Sequence, residues 1–471
     1  MIREKGAGAD IHKDSFNAAI VSWKLRKVIA ETKLPNNTQG AQKLALFLHR
    51  HGCREIAMES TGPYWMSIYD YLTQHGVKVL LANPASVKAM VGKKTDRIDA
   101  AWLAYLHMAN LVTPSYIPDK SYRQLRNLCR TREKLVRMKT QIKNATTSQI
   151  HTFSSEITNV FSDTFGKSGM KMLKTLLEHL EQLEHLEHIE NQDKDKDQGQ
   201  DQVVPGTSSE AIGEDFTPLL QKLREAGLKE SKVQKVCLAL QKAYTPCIDA
   251  GMANFFLEQV EFLDKAVKEM DDQIARLICE DQRIGRQLML LVSIPGVSLV
   301  TGASMAAEIC DVSRFKSCKR MVGYMGLAPS VYQSGSKRIT GKITKRGSPH
   351  ARRAYYQAAI GIIRTGQSNA PELAEFYRRV KSRKGHKVAA VALARKLATI
   401  TYHMLTRHQN YQAYLDSEKE RKEKREKKMN RVKARITKAK ERKASLAQVL
   451  EMAEKMEVLE VMSQELRTAC A

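Results

Sequence analysis

Four acidic residues near the start of the chain have types and spacing that could hold metal ions. Asp10 ends the first predicted strand, in Gly-Ala-Asp-Ile-His-Lys, and Glu59 ends a later one, in Glu-Ile-Ala-Met-Glu-Ser. Asp96 and Asp99 are three residues apart, so a helix would point both the same way. Clustered carboxylates repel one another unless cations neutralise them, and Mg²⁺ prefers oxygen ligands. The pattern predicts a site for two Mg²⁺ ions that assist phosphodiester chemistry.

A structural role for the later pair is the competing interpretation. Asp96 and Asp99 could cap a helix and pair with Arg97 or Lys94. That interpretation suits an isolated aspartate, whereas four carboxylates in this order favour a functional site.

A serine among cations is the second group that could do chemistry. Ser334 stands beside Gly335, and the loop predicted there is followed by cations that could contact nucleic acid: Lys337, Arg338, Lys342, Lys345, Arg346, Arg352 and Arg353. These cations could stabilise phosphoryl charge while a serine hydroxyl attacks phosphorus. Spacing alone does not separate Ser334 from Ser330 or Ser336, and a basic Gly/Ser loop also suits plain phosphate binding.

The elements that would position the carboxylates belong to an α/β domain. Apolar runs at residues 17–23, 28–30, 55–58 and 77–82 predict strands, and helices are expected near 39–51 and 66–75. Three early strands followed by alternating helices and strands match a ribonuclease-H-like topology. Pro114 and Pro118 mark the end of this domain, which we place at residues 1–118.

Two long helices with heptad spacing are predicted in the next region, residues 119–285. The first covers residues 120–151, and the second covers 252–284 with an apolar seam of Ala253, Phe256, Val260, Leu263, Val267, Met270, Ile274 and Leu277. Spacing does not decide whether they pair with each other or with a second subunit. Residues 191–214 are polar and of low complexity, which predicts a disordered insertion.

The C-terminal domain, residues 286–410, is predicted to be mainly α-helical. Ile-Pro-Gly-Val-Ser at 294–298 resembles a helix-hairpin-helix turn, which would offer backbone N–H groups to phosphates. Residues 411–471 form a basic tail, either a solvated helix or a disordered arm.

The composition of the chain indicates the class of its binding partner and its compartment in the cell. The net charge of +26 predicts a polyanionic partner. The eight cysteines include no CxxC pair, which favours reduced thiols over a zinc site or disulfides. No apolar run is long enough to span a membrane, and the N-terminus leaves no room for a signal peptide. We expect a cytoplasmic protein, associated with the nucleoid when bound to DNA.

Both groups of residues, and the motifs around them, resemble the insertion-sequence transposases of the IS110 family. The resemblance covers the first ~115 residues and residues ~286–365. It rests on Gly-Ala-Asp10-Ile-His-Lys, Ala-Met-Glu59-Ser-Thr-Gly, Lys-Thr-Asp96-Arg-Ile-Asp99-Ala, Ile-Pro-Gly-Val, Tyr-Met-Gly-Leu-Ala-Pro, Gln-Ser334-Gly-Ser-Lys and Ile-Thr-Lys-Arg-Gly. It implies a RuvC-like DEDD domain with metal ligands at Asp10, Glu59, Asp96 and Asp99, and a serine transposase domain with Ser334 as nucleophile.

The resemblance also implies partners and an activity. The protein would excise and insert its element by cleaving and exchanging DNA strands, directed by a structured guide RNA from the element's own non-coding end. It would act as a homo-oligomer, a dimer or tetramer, with the DEDD and serine domains of different subunits in a composite site. Two alternatives remain: a metal-dependent endonuclease of the Holliday-junction-resolvase type, and a non-catalytic nucleic-acid-binding protein.

Overall fold

The chain contains two compact units, one spanning Met1–Asp119 and one beginning at Lys120. The computed structural model describes residues 3–59, 62–82, 96–197, 216–241, 250–334 and 337–441. In its described residues the first unit contains the strands and helices β1 (Lys5–Ile11), β2 (Ser15–Ser22), β3 (Lys27–Pro35), α1 (Thr38–Arg50), β4 (Glu55–Glu59), α2 (Met66–Gln74), β5 (Lys78–Ala82) and α3 (Asp96–Met108).

The first unit is built on one mixed sheet with the strand order β3-β2-β1-β4-β5. β1 and β2 are antiparallel, as are β2 and β3, whereas β1–β4 and β4–β5 are parallel pairs. Helices α1 and α2 share a core with the Ala7, Ala9 and Ile11 side of β1. β3 extends well beyond the predicted residues 28–30 because this edge strand alternates exposed and half-buried residues, so its apolar signal is weak.

Helix α3 packs directly against β1, and this packing determines which end of the helix lies near Asp10. A Cβ atom at Gly6 would lie 2.3 Å from the Ala104 carbonyl oxygen, and one at Gly8 would lie 2.4 Å from that of Ala100. Only glycine permits this approach of helix to strand. Since successive glycines along β1 meet earlier turns of α3, the helix runs antiparallel to the strand, with its N-terminus at the Asp10 end.

A buried histidine occupies the opposite end of α3. His107 is 2% exposed, and its Nε2 lies 3.5 Å from the Glu55 carboxylate. Arg3 and Lys78 donate hydrogen bonds to that carboxylate at 2.7 Å and 2.9 Å. Burial lowers the pKa of His107 below its ordinary value of 6.5, and the Lys78 hydrogen bond lowers the pKa of Glu55. Both shifts make the folded unit more stable at neutral pH than at acidic pH, because the charged form of His107 and the neutral form of Glu55 are disfavoured in the fold.

We expect the first unit to lose stability as the pH falls below 6.5. Folded His107 resists protonation, so the unfolded state takes up more protons in this range and is favoured. Glu55 adds to the loss at more acidic pH, because its carboxylate is stabilised in the fold. Trp23, Trp65 and Trp102 all lie in this unit, so tryptophan fluorescence reports its unfolding separately. His107→Gln should flatten the profile near pH 6.5, and His49→Gln, at an exposed histidine, should not.

The second unit is mainly helical in the part of the chain that the structure describes. Its elements are α4 (Lys120–Phe153), α5 (Lys167–Asp197), α6 (Thr217–Glu225), α7 (Glu230–Leu240), α8 (Ala250–Glu280), α9 (Gln282–Val292), α10 (Leu299–Ile309), α11 (Cys318–Tyr324), β6 (Pro329–Ser334), β7 (Lys337–Ile343), α12 (Pro349–Asn369), α13 (Pro371–Arg407) and α14 (Tyr411–Glu441). The predictions of an α/β N-terminal unit and a helical remainder are confirmed. Within the described ranges, no helix is long and apolar enough to cross a membrane.

Among its described residues, the second unit is held together by two hydrophobic cores. One gathers α5, α6 and α7 against the end of α4 and the start of α8. The other joins the start of α4 and the end of α8 to helices α9–α13. Ile274 and Leu277 thus share a core with Ile284 and Leu288, across the predicted domain boundary at residue 285.

Two segments predicted by composition are helical where the structure describes them. α5 continues to Asp197 and so includes residues 191–197 of the segment predicted to be disordered. Extending an established helix adds a hydrogen bond for each residue fixed, which low complexity alone does not prevent. Residues 198–214 of that prediction lie outside the described residues. The basic tail is helical through Glu441, and residues 442–471 also lie outside them.

The apolar seam of α8 packs against α4 of the same chain. Six of the eight seam residues are buried, whereas Phe256 and Met270 are only half-buried. An Arg132–Asp271 ion pair of 2.5 Å and a Lys139–Asp264 pair flank the contact. Because the side chains of this seam are covered within one chain, the seam by itself does not require a second subunit.

Val267→Asp is expected to destabilise the second unit by more than about 3 kcal/mol, because it buries a charge without a partner. Val267 is 8% exposed, whereas Phe262 on the same helix is 64% exposed. Phe262→Asp is therefore the matched control and should cost little. Urea unfolding followed by circular dichroism measures the difference, while tryptophan fluorescence should show an unchanged first unit. Equal stability of the two variants would contradict the packing of α8 on α4.

Candidate active site

Asp10 is a buried carboxylate at the end of the central strand β1. Its side chain faces the same side of the sheet as Gly6 and Gly8, because side chains two residues apart share a face. The residue is 5% exposed, and its Oδ2 lies 2.9 Å from Nε2 of His12. A carboxylate this deeply buried needs polar or cationic partners.

Glu59 lies beside Asp10 at the same edge of the sheet. β1 and β4 are parallel, with Gly8 opposite Ala57 and Ala9 opposite Met58. Continued by one residue, this register sets Asp10 opposite Glu59, the half-buried last residue of β4. Paired residues of adjacent strands point to the same face, so two carboxylates stand next to each other there.

Helix α3 brings the second acidic pair to this edge. Asp99 is half-buried in the first turn, and Asp96 is the first residue of the helix. Since Gly8 meets Ala100, the turn that carries Asp99 lies near the level of Asp10. The Asp96 side chain and residues 83–95, including Lys94, lie outside the described residues, as does the Arg97 side chain.

No complete metal site is formed by the side chains that the structure describes. Among them, no three His, Cys, Asp or Glu residues lie close enough together to hold an ion. The structure does bring the Asp10, Glu59 and Asp99 positions to one edge of the sheet. Their role as metal ligands stays a prediction.

Ser334 lies on a strand of a β-hairpin, and the prediction of a loop at this residue is wrong. β6 and β7 are antiparallel, and Ser334, at the end of β6, pairs with Lys337. A two-residue Gly-Ser connection explains the hairpin, since connections of this length with glycine in the first position favour strand pairing. Val331, Tyr332 and Ile339 are between 49% and 68% exposed, so the hairpin arms project into solvent.

The structure distinguishes two of the three candidate serines, Ser330 and Ser334, by their surroundings. Ser330 Oγ donates a hydrogen bond to the Lys342 carbonyl oxygen at 3.0 Å, which occupies its hydroxyl. Ser334 is exposed, and its hydroxyl has no hydrogen-bond partner in the part of the chain that the structure describes. Ser336 lies outside that part. Of the two described serines, Ser334 is therefore the one whose hydroxyl is available.

The predicted phosphate-binding cations differ in how freely they can move. Lys342, Lys345 and Arg346 are exposed, whereas the side chains of Lys337 and Arg338 lie outside the described residues. Arg352 donates to the Lys345 carbonyl oxygen at 3.2 Å, and Arg353 lies 3.3 Å from Glu133. The last two cations are thus partly engaged within the protein.

A tight turn holds these cations between the hairpin and α12. Lys345 has a φ of 53°, and Gly347 has a φ of 123°. A Cβ atom at Gly347 would lie 2.0 Å from the Tyr324 carbonyl oxygen, so only glycine fits. Ser348 follows and donates a hydrogen bond to the buried Glu308 at 2.8 Å.

The predicted helix-hairpin-helix segment is a turn between α9 and α10. Gly296 has a φ of 82° and packs against α12. A Cβ atom at Gly361 of that helix would lie 2.3 Å from the Gly296 carbonyl oxygen. The Ser298 side chain accepts the Thr301 N–H at 3.3 Å and caps α10. A role of this turn in phosphate binding stays a prediction.

Models of two transposase domains match the chain around these residues. The DEDD transposase domain model of IS110 matches residues 7–154, and the model described as Transposase IS116/IS110/IS902 family matches residues 288–378. Together they span about half of the chain, the first over Asp10, Glu59, Asp96 and Asp99 and the second over Ser334. The chain belongs to the IS110 family of transposases.

Individual proteins similar to this IS110-family chain include transposases and a gene-inverting protein. The transposase of insertion sequence IS1111A from Coxiella burnetii is 27% identical over 32% of the chain and 40% of its own length. A probable family 20 transposase from Pseudomonas aeruginosa is 23% identical over 37% of the chain and 51% of its own length. The pilin gene-inverting protein of Moraxella bovis is 22% identical over 86% of the chain and 96% of its own length. The chain thus spans about half or less of the first two relatives.

Two residues of this family member were missed by the sequence-based prediction. His12, the residue after β1, contacts Asp10, and their spacing of two at the strand end could have indicated a shared face. Glu308 is 3% exposed and receives hydrogen bonds from Arg130 at 2.9 Å and from Ser348. No local pattern indicates Glu308, because its partners come from distant segments of the chain.

Proposed function

We propose that this chain is a DNA transposase that cleaves and exchanges strands by using Ser334 as the nucleophile and a magnesium site at Asp10, Glu59, Asp96 and Asp99. One observation supports this most strongly: β1 and β4 set Asp10 beside Glu59, and α3 brings Asp99 to the same edge. Strand order and helix placement match a RuvC-like, ribonuclease-H-like fold, which we propose for the first unit.

The residues at this edge fit a divalent ion. Their donors are carboxylate oxygens, the ligand type that Mg²⁺ prefers, and adjacent carboxylates need a cation to offset their repulsion. When bound, Mg²⁺ would polarise the phosphodiester and stabilise charge on its oxygens. His12 contacts Asp10 Oδ2 and would hold that carboxylate in one orientation.

The serine step proposed for the second unit balances as a transesterification. The Ser334 oxygen forms a bond to phosphorus, and the bond from phosphorus to the 3′ oxygen breaks. The serine proton passes to solvent, and the leaving 3′ oxygen takes a proton to become a hydroxyl. Lys342, Lys345 and Arg346 are exposed on and after the same hairpin, where they can bind the phosphate. Strand exchange reverses the attack with a new hydroxyl.

Family membership and charge support the remaining partners that we propose. The +26 charge suits DNA together with a structured guide RNA, and the family resemblance implies a homo-oligomer. The long relative from Moraxella bovis is named as a gene-inverting protein, which fits a DNA recombinase.

The test is the search for a covalent protein–DNA product. Wild-type protein is incubated with Mg²⁺, end-labelled DNA carrying the element ends, and RNA transcribed from the element. The products are separated by denaturing electrophoresis with and without protease. We expect a slow band that protease removes. Cleavage without such a band would favour hydrolysis of the resolvase type, and absence of any cleavage would favour a non-catalytic binding protein.

A further inference from the structure

Helix α13 is broken by a sharp bend at Gly385. This residue has a φ of 78° and a ψ of 168°, a conformation that is almost confined to glycine. The bend separates an arm over residues 371–384 from a second arm over 386–407. The Tyr377 hydroxyl lies 2.6 Å from Nδ1 of His386, which ties the two arms together across the bend.

The bend carries a dense group of cations, which we call the basic elbow. Residues 378–388 contain no acidic residue, and 381–388 are all exposed. The basic elbow consists of Arg378, Arg379, Lys381, Arg383, Lys384 and Lys387. Within the described residues none of these six forms an ion pair, whereas Arg130, Arg132 and Arg407 of the same unit all do.

Helix stability accounts for only part of this charge. Cations near residues 381–384 would complement the C-terminal end of the first arm. Lys387, however, lies in the first turn of the second arm, where the helix dipole disfavours a positive side chain. Six neighbouring cations also repel one another, which destabilises the folded protein. A bound polyanion would reduce this repulsion.

The basic elbow continues into the surface around the serine hairpin. Val391 lies one helical turn after Lys387 and lines a groove of about 400 Å³ with Arg352, Arg353 and Ile343. Ile343 ends β7, the strand paired with the one that carries Ser334. Cationic side chains therefore extend from the hairpin base, through the groove, toward the elbow.

We propose that the basic elbow binds the phosphate backbone of duplex DNA that flanks the phosphate attacked by Ser334. The proposal rests on the proposed function, because continuity with the serine hairpin is what favours DNA over RNA. Gly385 lets both arms end at one exposed corner, so cations from both can reach neighbouring phosphates. Since these contacts are to phosphates, they position the DNA and do not select its sequence.

The decisive variant neutralises three exposed cations of the elbow, Arg383→Gln, Lys384→Gln and Lys387→Gln, in the full chain. Binding to a random-sequence DNA duplex is measured without divalent metal over a series of salt concentrations. We expect the log–log salt dependence to become shallower by about 2 to 3, at about 0.9 for each phosphate that the protein no longer neutralises. The matched control removes the same charge from the exposed face of α8, with Lys265→Gln, Lys268→Gln and Arg276→Gln, and should not change the slope.

A second variant and a second ligand make the outcome specific. Gly385→Ala keeps every charge but strains the bend, and we expect weaker DNA binding, since a Cβ there meets open space and only the backbone conformation is disfavoured. An RNA hairpin is titrated in parallel. An unchanged DNA slope, or an equal or larger loss on RNA, would overturn the proposal. Because no cleavage is needed, failure of the serine chemistry would leave this result intact.

Discussion

Ser334→Ala should eliminate the covalent protein–DNA product. The substitution removes the oxygen that would bond to phosphorus, and it alters little else because the side chain is exposed at the end of β6. Neighbouring cations remain in place, so DNA binding should be retained. Loss of the product is therefore expected to be complete, measured as the protease-sensitive band of end-labelled DNA.

The two neighbouring serines provide matched controls. Ser330→Ala removes a hydroxyl that is already bonded to the Lys342 carbonyl oxygen, so it should reduce the covalent product only through the hairpin geometry. Ser336→Ala should retain the product in part, because that residue shares the cationic field but not necessarily the alignment for attack. A protease-sensitive band that persists in Ser334→Ala would assign the nucleophile to another residue.

Asp10→Asn should lower cleavage of DNA by at least about 10²-fold at saturating Mg²⁺. The change removes one ligand charge at nearly constant volume, so the strand and its neighbours are expected to stay in place. Removing a negative charge from beside Glu59 also relieves repulsion. The unfolding midpoint of the first unit, followed by tryptophan fluorescence, should therefore be unchanged or higher while activity is lost.

The control for Asp10→Asn is Asp14→Asn, which removes the same charge from an exposed residue after β1. It should retain activity. Mg²⁺ binding measured by calorimetry supplies a readout besides cleavage, and we expect weaker binding in Asp10→Asn only. If Asp10→Asn cleaves as well as wild type, the acidic edge is not the metal site.

The family motifs and the periodicity determined part of the architecture correctly. Asp10 and Glu59 end apolar runs, and alternation or continuous apolar residues report a strand because one or both faces are buried. The three-four spacing of α8 reported a buried helix face in the same way. These features are local, since a residue's burial repeats with the period of its own element.

Features that depend on contacts between distant segments were decided by the tertiary structure. The parallel pairing of β1 with β4 sets Asp10 beside Glu59, and α4 of the same chain covers the seam of α8. The contacts of Glu308 with Arg130 and Ser348 likewise join three separate segments. Periodicity specifies that a face is buried and leaves open what covers it, because the covering group lies far away in the chain.

The hairpin and the bend show the same limit at short range. Gly335-Ser336 and Gly385 are visible in the sequence as sites of conformational freedom, but glycine permits several backbone conformations. The pairing of β6 with β7 places Ser334 on a strand of a hairpin, opposite Lys337. At Gly385, the bent conformation occurs together with the packing of both arms of α13 and with the Tyr377–His386 contact. The sequence by itself determined which residues could do the chemistry, and the folded packing decided which of them stand together.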